Sequence, residues 1–157
     1  MLWFVRHAAV EVRLDAPAST WTLTDEGHAA ASALAARLAP IPRVLSSPEP
    51  KAVATARHLA EASAVELEID SRLREVERTS NLPSYDDHYA AVRRYLAGAA
   101  VDGWEAAPDA RARFAAALED VDQAAIVTHA TVLALFLRYD FRQWERIQLP
   151  DVIEWRP

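Results

Sequence analysis

Two histidines that are far apart in the chain hold equivalent positions, because each follows a short apolar segment typical of a buried strand. His7 follows residues 2–5, and His129 follows residues 124–128. Ligands of open α/β sheets bind beyond the carboxyl ends of the strands. If these two strands are parallel, both imidazoles lie at one end of the sheet, where helix N-termini can turn free N–H groups toward an anion.

Cationic side chains accompany these histidines and would suit a phosphate group as the bound anion. Arg6 adjoins His7, and Lys51 lies near the start of a helix predicted after residue 47. A cation near a helix N-terminus is electrostatically unfavourable by itself, and a bound phosphate would reverse that balance. The three glycines of the chain form neither a P-loop nor a dinucleotide fingerprint, so side chains and helix ends must bind the phosphate.

Composition bounds the class of protein. The 157 residues suit a single domain, 52% of them hydrophobic and 25% charged, as in ordinary globular proteins. A net charge of −6 gives no electrostatic reason to bind nucleic acid or anionic lipid, so an anionic substrate needs a local cationic pocket. The absence of cysteine excludes disulfides, thiolate nucleophiles and Cys-based metal sites. We expect a soluble cytoplasmic protein, because no signal peptide is visible and the longest apolar stretch, residues 124–137, is too short to span a bilayer.

Short apolar strands alternating with helical patterns predict a three-layer α/β/α sandwich with a mostly parallel central sheet. The predicted strands are residues 2–5, 44–46, 65–69 and 124–128, with an edge strand near 152–155. Helices are predicted from the Thr24 N-cap to about residue 39, from the Ser47 N-cap with Pro48 at N1 to about 62, and over 85–97, 108–121 and 131–138. One domain spans residues 1–157, and its irregular segment 76–108 is the expected cap or lid.

Five segments, taken in order over nearly the whole chain, resemble the motifs of the histidine phosphatase superfamily, also called phosphoglycerate-mutase-like. Val5-Arg6-His7-Ala8 resembles the family's Arg-His-Gly motif, and Leu23-Thr24-Asp25-Glu26-Gly27 resembles its Leu-Thr-x-x-Gly motif. The run 46–56 resembles its Ser-Ser-Pro-x-x-Arg-Ala-x-x-Thr-Ala segment. Leu73-Arg74-Glu75 resembles Leu-x-Glu, and Val127-Thr128-His129-Ala130 resembles Val-Ser/Thr-His-Gly. The resemblance implies a phosphoglycerate-mutase-like fold.

The resemblance also implies a role for each matching residue. His7 would attack phosphorus and form a phosphohistidine, and a hydrogen bond to its other ring nitrogen should fix the neutral tautomer. Arg6, Lys51 and His129 would hold the phosphoryl oxygens. Glu75 would protonate the leaving oxygen and then activate water. The implied catalytic set is therefore His7, Glu75 and His129, the substrate is a small phosphorylated molecule, and neither a metal nor a cofactor is required.

The chain departs from the family pattern at several positions. Lys51 stands where the family usually has arginine; lysine keeps the charge and loses the planar fork, so a Lys51→Arg change is expected to hold or raise activity. Alanines replace the usual glycines at positions 8 and 130. The family's Phe-Gly-x-Trp-Glu-Gly run after the acid is absent, which leaves Glu77 as a second candidate for the acid. Trp104-Glu105, with Arg111 or Arg113, resembles the family's Gly-Glu-Ser…Arg segment.

Three functions follow from these observations. The first is a phosphomonoesterase that acts on a small metabolite or a phosphorylated protein residue. The second is a phosphate-binding or scaffold protein that has lost turnover, as the lysine at position 51 and the altered run after Glu75 suggest. The third and least favoured is a phosphoglycerate mutase, because 157 residues leave little room for that branch's insertions.

Aromatic and basic residues of the middle segment either line a substrate pocket or pack helices: Tyr85, Tyr89, Arg93, Arg94 and Trp104. His28, His58 and His88 show no metal-site spacing, and the sequence does not predict the oligomeric state.

Overall fold

The predicted strands pair into a single sheet in the computed structural model, which describes residues 1–79 and 81–156. Within the described residues the sheet has five strands in the order β3-β2-β4-β1-β5. Their bounds are β1 Leu2–Arg6, β2 Arg43–Ser46, β3 Leu67–Ile69, β4 Ala124–Thr128 and β5 Asp151–Trp155. Strands β1 to β4 run parallel, and β5 pairs antiparallel with β1 at the edge. The predicted mostly parallel sheet and its edge strand are confirmed.

Helices cover both faces of the sheet, because successive strand residues point to opposite sides and both sides are apolar. The helices are α1 Asp25–Leu38, α2 Pro50–Ser63, α3 Tyr85–Leu96, α4 Ala107–Ala116, α5 Ala130–Leu137 and α6 Phe141–Trp144. In β1, Val5 packs in a core formed with α1 and α2, whereas Phe4 packs in a second core with α3, α4 and α5. The three-layer prediction is thereby confirmed.

The start of α2 differs from the prediction. We expected Ser47 as the N-cap and Pro48 at N1, but the N-cap is Glu49 and Pro50 is the first helical residue. A residue that precedes proline is sterically disfavoured in the α conformation. Glu49 accordingly stays extended, with φ −68° and ψ 136°, and the helix cannot begin before Pro50. This later start frees the Ser47 hydroxyl for another partner.

Two further boundaries and one helix also differ from the prediction. β3 begins at Leu67 rather than residue 65, because the backbone N–H of Val65 bonds the carbonyl of Ala60 at the end of α2. α4 ends at Ala116, before the predicted residue 121, and left-handed residues at Asp120 and Gln123 then turn the chain into β4. Helix α6 was missed, although its capping box is readable from Asp140 and Gln143.

Gly27 fixes how closely α1 approaches the chain that follows His7. A methyl group at this position would lie 2.2 Å from the carbonyl oxygen of Ala9, well inside contact distance. That same carbonyl accepts a hydrogen bond from the backbone N–H of Thr24, the N-cap of α1. The glycine therefore lets the first turn of α1 hold the loop after β1 in place.

The segment 76–108, predicted as a cap or lid, contains α3 and an isolated bridge between Arg78 and Trp104; its residue 80 lies outside the described residues. Its role as a lid stays a prediction. In the described part of the chain, none of the helices combines the length and the apolar character that crossing a membrane demands.

Candidate active site

The parallel pairing of β1 and β4 brings the two predicted histidines together. Arg6 pairs with Thr128 in the sheet register, and the backbone N–H of His7 donates to the Thr128 carbonyl at 3.1 Å. The ring centroids of His7 and His129 lie 5.2 Å apart, with the planes inclined at 57°. Both side chains are buried. The arrangement leaves two imidazoles at the carboxyl edge of the sheet, as the sequence predicted.

The surroundings of His7 keep its imidazole neutral and fix its tautomer. Its Nδ1 lies 2.9 Å from the Ala8 carbonyl oxygen, which is an acceptor only, so Nδ1 carries the proton and Nε2 keeps its lone pair. Burial, together with proximity to His129 and to the Lys51 ammonium, holds the pKa of His7 well below 6.5. The ring is therefore in its nucleophilic form at neutral pH.

His129 is held through Ser47, the residue that the sequence placed at a helix N-cap. The Ser47 hydroxyl lies 2.8 Å from Nε2 of His129 and accepts a hydrogen bond from the Glu49 backbone N–H at 3.3 Å. A hydroxyl that donates to Nε2 leaves the imidazole proton on Nδ1, which is buried and has no partner among the described residues. Burial, with a smaller effect of Lys51, lowers the pKa of His129 to about 3, so this ring is neutral as well.

Glu49, which the sequence analysis did not single out, joins the parts of the site. Its Oε2 lies 2.6 Å from the Nζ of Lys51, and its Oε1 accepts the backbone N–H of Glu75 at 2.9 Å. The same Oε1 is 3.5 Å from Nε2 of His129. The Lys51 ammonium also donates to the Ala18 carbonyl and is nearly fully buried. This pairing compensates the lysine charge at the start of α2.

The carboxylate of Glu75 caps α5. Its oxygens accept the backbone N–H groups of Thr131 at 3.1 Å and Val132 at 2.8 Å, as well as that of Val76. Burial alone would raise the pKa of Glu75, but His129, Arg78 and the backbone donors outweigh it and the pKa is lowered. The free protein therefore holds Glu75 ionised beside the histidines.

Glu77, the second candidate for the acid, lies elsewhere. Its side chain is 63% exposed and pairs with Arg74. It lines a surface groove that includes neither His7 nor His129. Of the arginines considered from the sequence, Arg113 forms the ion pair with Glu105, at 2.7 Å, and also donates to the Glu75 carbonyl. The Glu105–Arg113 pair thus supports the loop that carries Glu75.

One cavity of about 190 Å³ receives all the residues that the sequence assigned to the site: Arg6, His7, Lys51, Glu75 and His129. In residues 1–79 and 81–156, four buried side-chain nitrogens have no hydrogen-bond partner, and all four belong to residues that line this cavity: Arg6 Nε, Arg78 Nε, His129 Nδ1 and Trp144 Nε1. Buried donors are normally paired. Their concentration here indicates a ligand that supplies acceptor oxygens.

Arg78 is a third cation of the cavity that sequence reasoning missed. Its guanidinium stacks over the Trp104 ring with 4.4 Å to the centroid. Burial lowers the pKa of Arg78 while Glu75 raises it, and a guanidinium stays charged in proteins. With Arg6 and Lys51 the lining contains three cations and the carboxylate of Glu75, so it carries net positive charge even though Lys51 is paired with Glu49 behind it. The sequence offers no signal that separates Arg78 from the other charged residues of the run 70–78.

No group of three potential metal ligands occurs within the part of the chain that the structure describes. His28 and His58, which the sequence did not connect, contact each other on the surface of α1 and α2, with 3.2 Å between Nδ1 and Nε2. This pair lies outside the cavity. The chemistry available at the site is that of imidazoles, carboxylates and fixed cations.

Comparisons with known proteins agree with this geometry. A family profile described as histidine phosphatase superfamily (branch 1) matches residues 2–152. No curated protein matches the chain by sequence. A mycobacterial glucosyl-3-phosphoglycerate phosphatase in complex with inorganic phosphate is similar in structure, with a TM-score of 0.67 and 22% identity over 91% of this chain and 81% of that one.

Two further solved structures are similar. Phosphoglycerate mutase from Bacillus anthracis str. Sterne has a TM-score of 0.68 and 18% identity, over 87% of this chain and 77% of that chain. The protein TTHB049 from Thermus thermophilus has a TM-score of 0.64 and 26% identity, over 87% of this chain and 82% of that one. The predicted phosphoglycerate-mutase-like fold is confirmed.

The buried neutral histidines predict a loss of stability in mild acid. Unfolding returns His129 from a pKa of about 3 to 6.5, so below about pH 6.5 the unfolded state binds more protons and is favoured. Each such histidine lowers the free energy of unfolding by about 1.4 kcal/mol per pH unit. Urea unfolding between about pH 6 and 5 measures this slope. His129→Gln should make it shallower by about 1.4 kcal/mol per pH unit; an unchanged slope would contradict the buried neutral state.

A second prediction concerns Arg78 as an anion ligand. Inorganic phosphate should raise the melting temperature of the protein, because a ligand that binds only the folded state stabilises it. Arg78→Met should weaken phosphate binding about 10- to 100-fold, the range expected for the loss of a charged hydrogen bond. Arg43→Met is the matched control, since Arg43 pairs with Glu68 on the surface. Equal phosphate titrations of the two variants would exclude Arg78 from the site.

Proposed function

Because the chain belongs to the histidine phosphatase superfamily, we propose that it is a metal-independent phosphatase that hydrolyses a small phosphomonoester through a phosphohistidine on His7. The observation that carries the proposal is the state of His7: a neutral imidazole whose Nδ1 is tied to the Ala8 carbonyl and whose ring lines a cavity with three cations. The Nε2 of this imidazole therefore keeps its lone pair for attack on phosphorus.

In the first step a bond forms between Nε2 of His7 and phosphorus while the bond from phosphorus to the leaving oxygen breaks. Arg6, Lys51, Arg78 and His129 stabilise the charge on the phosphoryl oxygens. The leaving oxygen takes a proton from Glu75. The carboxyl is ionised in the free protein, but a bound phosphoryl dianion raises its pKa because like charges disfavour ionisation.

In the second step water attacks phosphorus, Glu75 accepts a proton from that water, and the bond from phosphorus to Nε2 breaks. Inorganic phosphate and free His7 result. The position of Glu75 supports this exchange of roles, because backbone N–H groups at the start of α5 hold its two oxygens. A carboxyl group fixed in this way can give its proton in one step and take one in the next without moving.

One observation favours the second candidate, a phosphate-binding protein without turnover. Lys51, which lines the cavity, is paired with Glu49 behind it, so a phosphoryl group must share that ammonium with a carboxylate. Weaker stabilisation of the transition state would follow, while binding of inorganic phosphate would persist.

Turnover of 4-nitrophenyl phosphate in EDTA tests the proposal. The protein should release inorganic phosphate, and His7→Ala should reduce kcat by about a thousandfold or more, since the nucleophile is removed. His28→Ala is the matched control, because His28 lies on the surface away from the cavity. Phosphate binding with no turnover by any of the three proteins would favour the scaffold instead. Transfer of the phosphoryl group between two hydroxyls of one acid, without release of inorganic phosphate, would indicate a mutase.

The surroundings of Lys51 reverse the expectation that a Lys51→Arg change holds or raises activity. Its ammonium sits between the Glu49 carboxylate and the Ala18 carbonyl in a site that leaves the side chain 6% exposed. A guanidinium is larger and demands a planar set of acceptors, so overpacking should cost about 1–3 kcal/mol. We therefore expect Lys51→Arg to lower kcat/KM about tenfold. Steady-state kinetics that show equal or higher kcat/KM would contradict this.

A further inference from the structure

The exposed large apolar side chains of this protein are gathered around one cavity. Among the described residues they number six, with exposed fractions between 38% and 57%: Val12, Leu14, Ile69, Tyr85, Tyr89 and Leu149. All except Ile69 line the cavity that contains His7. Scattered exposed apolar residues need no explanation, but their concentration at the mouth of one cavity marks a binding surface.

Three polar side chains belong to the outer wall of the cavity, the part that surrounds its mouth, and they already bond the protein's own backbone. The amide nitrogen of Asn81 donates to the carbonyl of Ala16, and its oxygen accepts the backbone N–H of Ala18 at 3.3 Å. The indole N–H of Trp21 donates to the carbonyl of Arg13 at 2.9 Å, and the Ser84 hydroxyl caps α3. At these three positions a ligand hydroxyl would therefore leave water without finding a free partner.

The inner part of this wall is aromatic, and it includes the indole N–H of Trp144, which has no partner among the described residues. The ring of Tyr89 meets that of Trp144 edge-on at 5.4 Å, and His88 lies 6.1 Å from the Trp144 ring. Burial lowers the pKa of His88 to about 4, so this imidazole is neutral at physiological pH. The charged groups lie deeper than the exposed apolar side chains: Lys51 is buried, and Arg6 and Arg78 are half-buried, near Tyr89 and His88 respectively. The cavity is thus charged at its buried end and apolar at its exposed mouth.

We infer that the substrate is a phosphomonoester whose leaving group is apolar, an alkyl chain or a single aromatic ring, rather than a sugar or another polyol. The inference rests on the proposed function: the phosphoryl group binds at the charged end, and the leaving group lies against Leu14, Tyr85 and Tyr89. A volume of about 190 Å³ is below the roughly 300–1,000 Å³ of sites for drug-sized ligands. A chain of about six carbons or one ring suits this size.

A series of primary alkyl phosphates separates apolar recognition from leaving-group chemistry, because every member releases a primary alkoxide. The substrates are n-butyl, n-hexyl, 2-phenylethyl and glycerol 1-phosphate. Burial of each added methylene should raise kcat/KM by about fourfold. We expect n-hexyl phosphate to exceed n-butyl phosphate by more than tenfold, and glycerol 1-phosphate to be the poorest substrate. Equal values across the series, or a preference for glycerol 1-phosphate, would overturn the assignment.

Two variants test whether the apolar side chains at the mouth of the cavity cause the preference for apolar leaving groups. Tyr89→Ser should lower the ratio of kcat/KM for 2-phenylethyl phosphate over glycerol 1-phosphate about tenfold, because it removes apolar wall and leaves the charged end intact. Ile69→Ser is the matched control: this residue is exposed to a similar degree but lies on β3, away from the cavity. The ratio should not change in this variant. Equal ratios in both variants would show that the wall does not select the substrate.

The two proposals fail in distinguishable ways. Turnover of 4-nitrophenyl phosphate that depends on His7, combined with a preference for glycerol 1-phosphate, overturns the apolar leaving group and leaves the phosphatase standing. Absence of turnover with every phosphomonoester overturns both proposals. Preference for n-hexyl and 2-phenylethyl phosphate, lost in Tyr89→Ser and kept in Ile69→Ser, supports both.

Discussion

The pairing of β1 with β4 is the constraint on which the site depends. Because the two strands are parallel and in register, both end at one edge of the sheet, and the residue after each strand is a histidine. A slip of one residue would turn every side chain of a strand to the opposite face and separate the imidazoles. Phe4 and Val5 anchor β1 in the two cores on either side of the sheet, so burial of these side chains fixes the register.

Charge in the cavity is arranged around a carboxylate rather than by cations alone. Glu49 holds Lys51 in place, receives the Glu75 backbone N–H and lies close to His129. A buried ammonium without a counter-charge would be costly, and the pair satisfies that requirement before substrate arrives. In the proposed reaction the same carboxylate would compete with the phosphoryl oxygens for the ammonium. The protein, with a net charge of −6, gains a locally positive cavity through Arg6 and Arg78.

Features encoded by local patterns were predictable from the sequence. Apolar runs identified the strands, Thr24 the start of α1, and five short motifs brought His7, His129 and Glu75 into one hypothesis. The predicted start of α2 was wrong because a helix that begins at Pro48 would place Glu49, the residue before Pro50, in the α conformation that sterics disfavour.

Features that arise only from contacts across the chain were not predictable. Glu49 meets the backbone of Glu75, 26 residues away, and the His28–His58 contact joins residues 30 apart on different helices. Arg78 lies in a charge-rich run that has the composition of a solvated surface. Only its stacking on Trp104 and the burial of its Nε reveal that it belongs to the cavity.

The division of the cavity into a charged and an apolar end has a consequence for the two-step reaction. An apolar leaving group seated against Tyr85 and Tyr89 would exclude water while His7 attacks, and fixed charges act more strongly where water is absent. Departure of that group would then open a path for water to the proposed phosphohistidine, beside the carboxylate of Glu75. The wall that selects the leaving group would thus also set the order in which phosphorus meets imidazole and water.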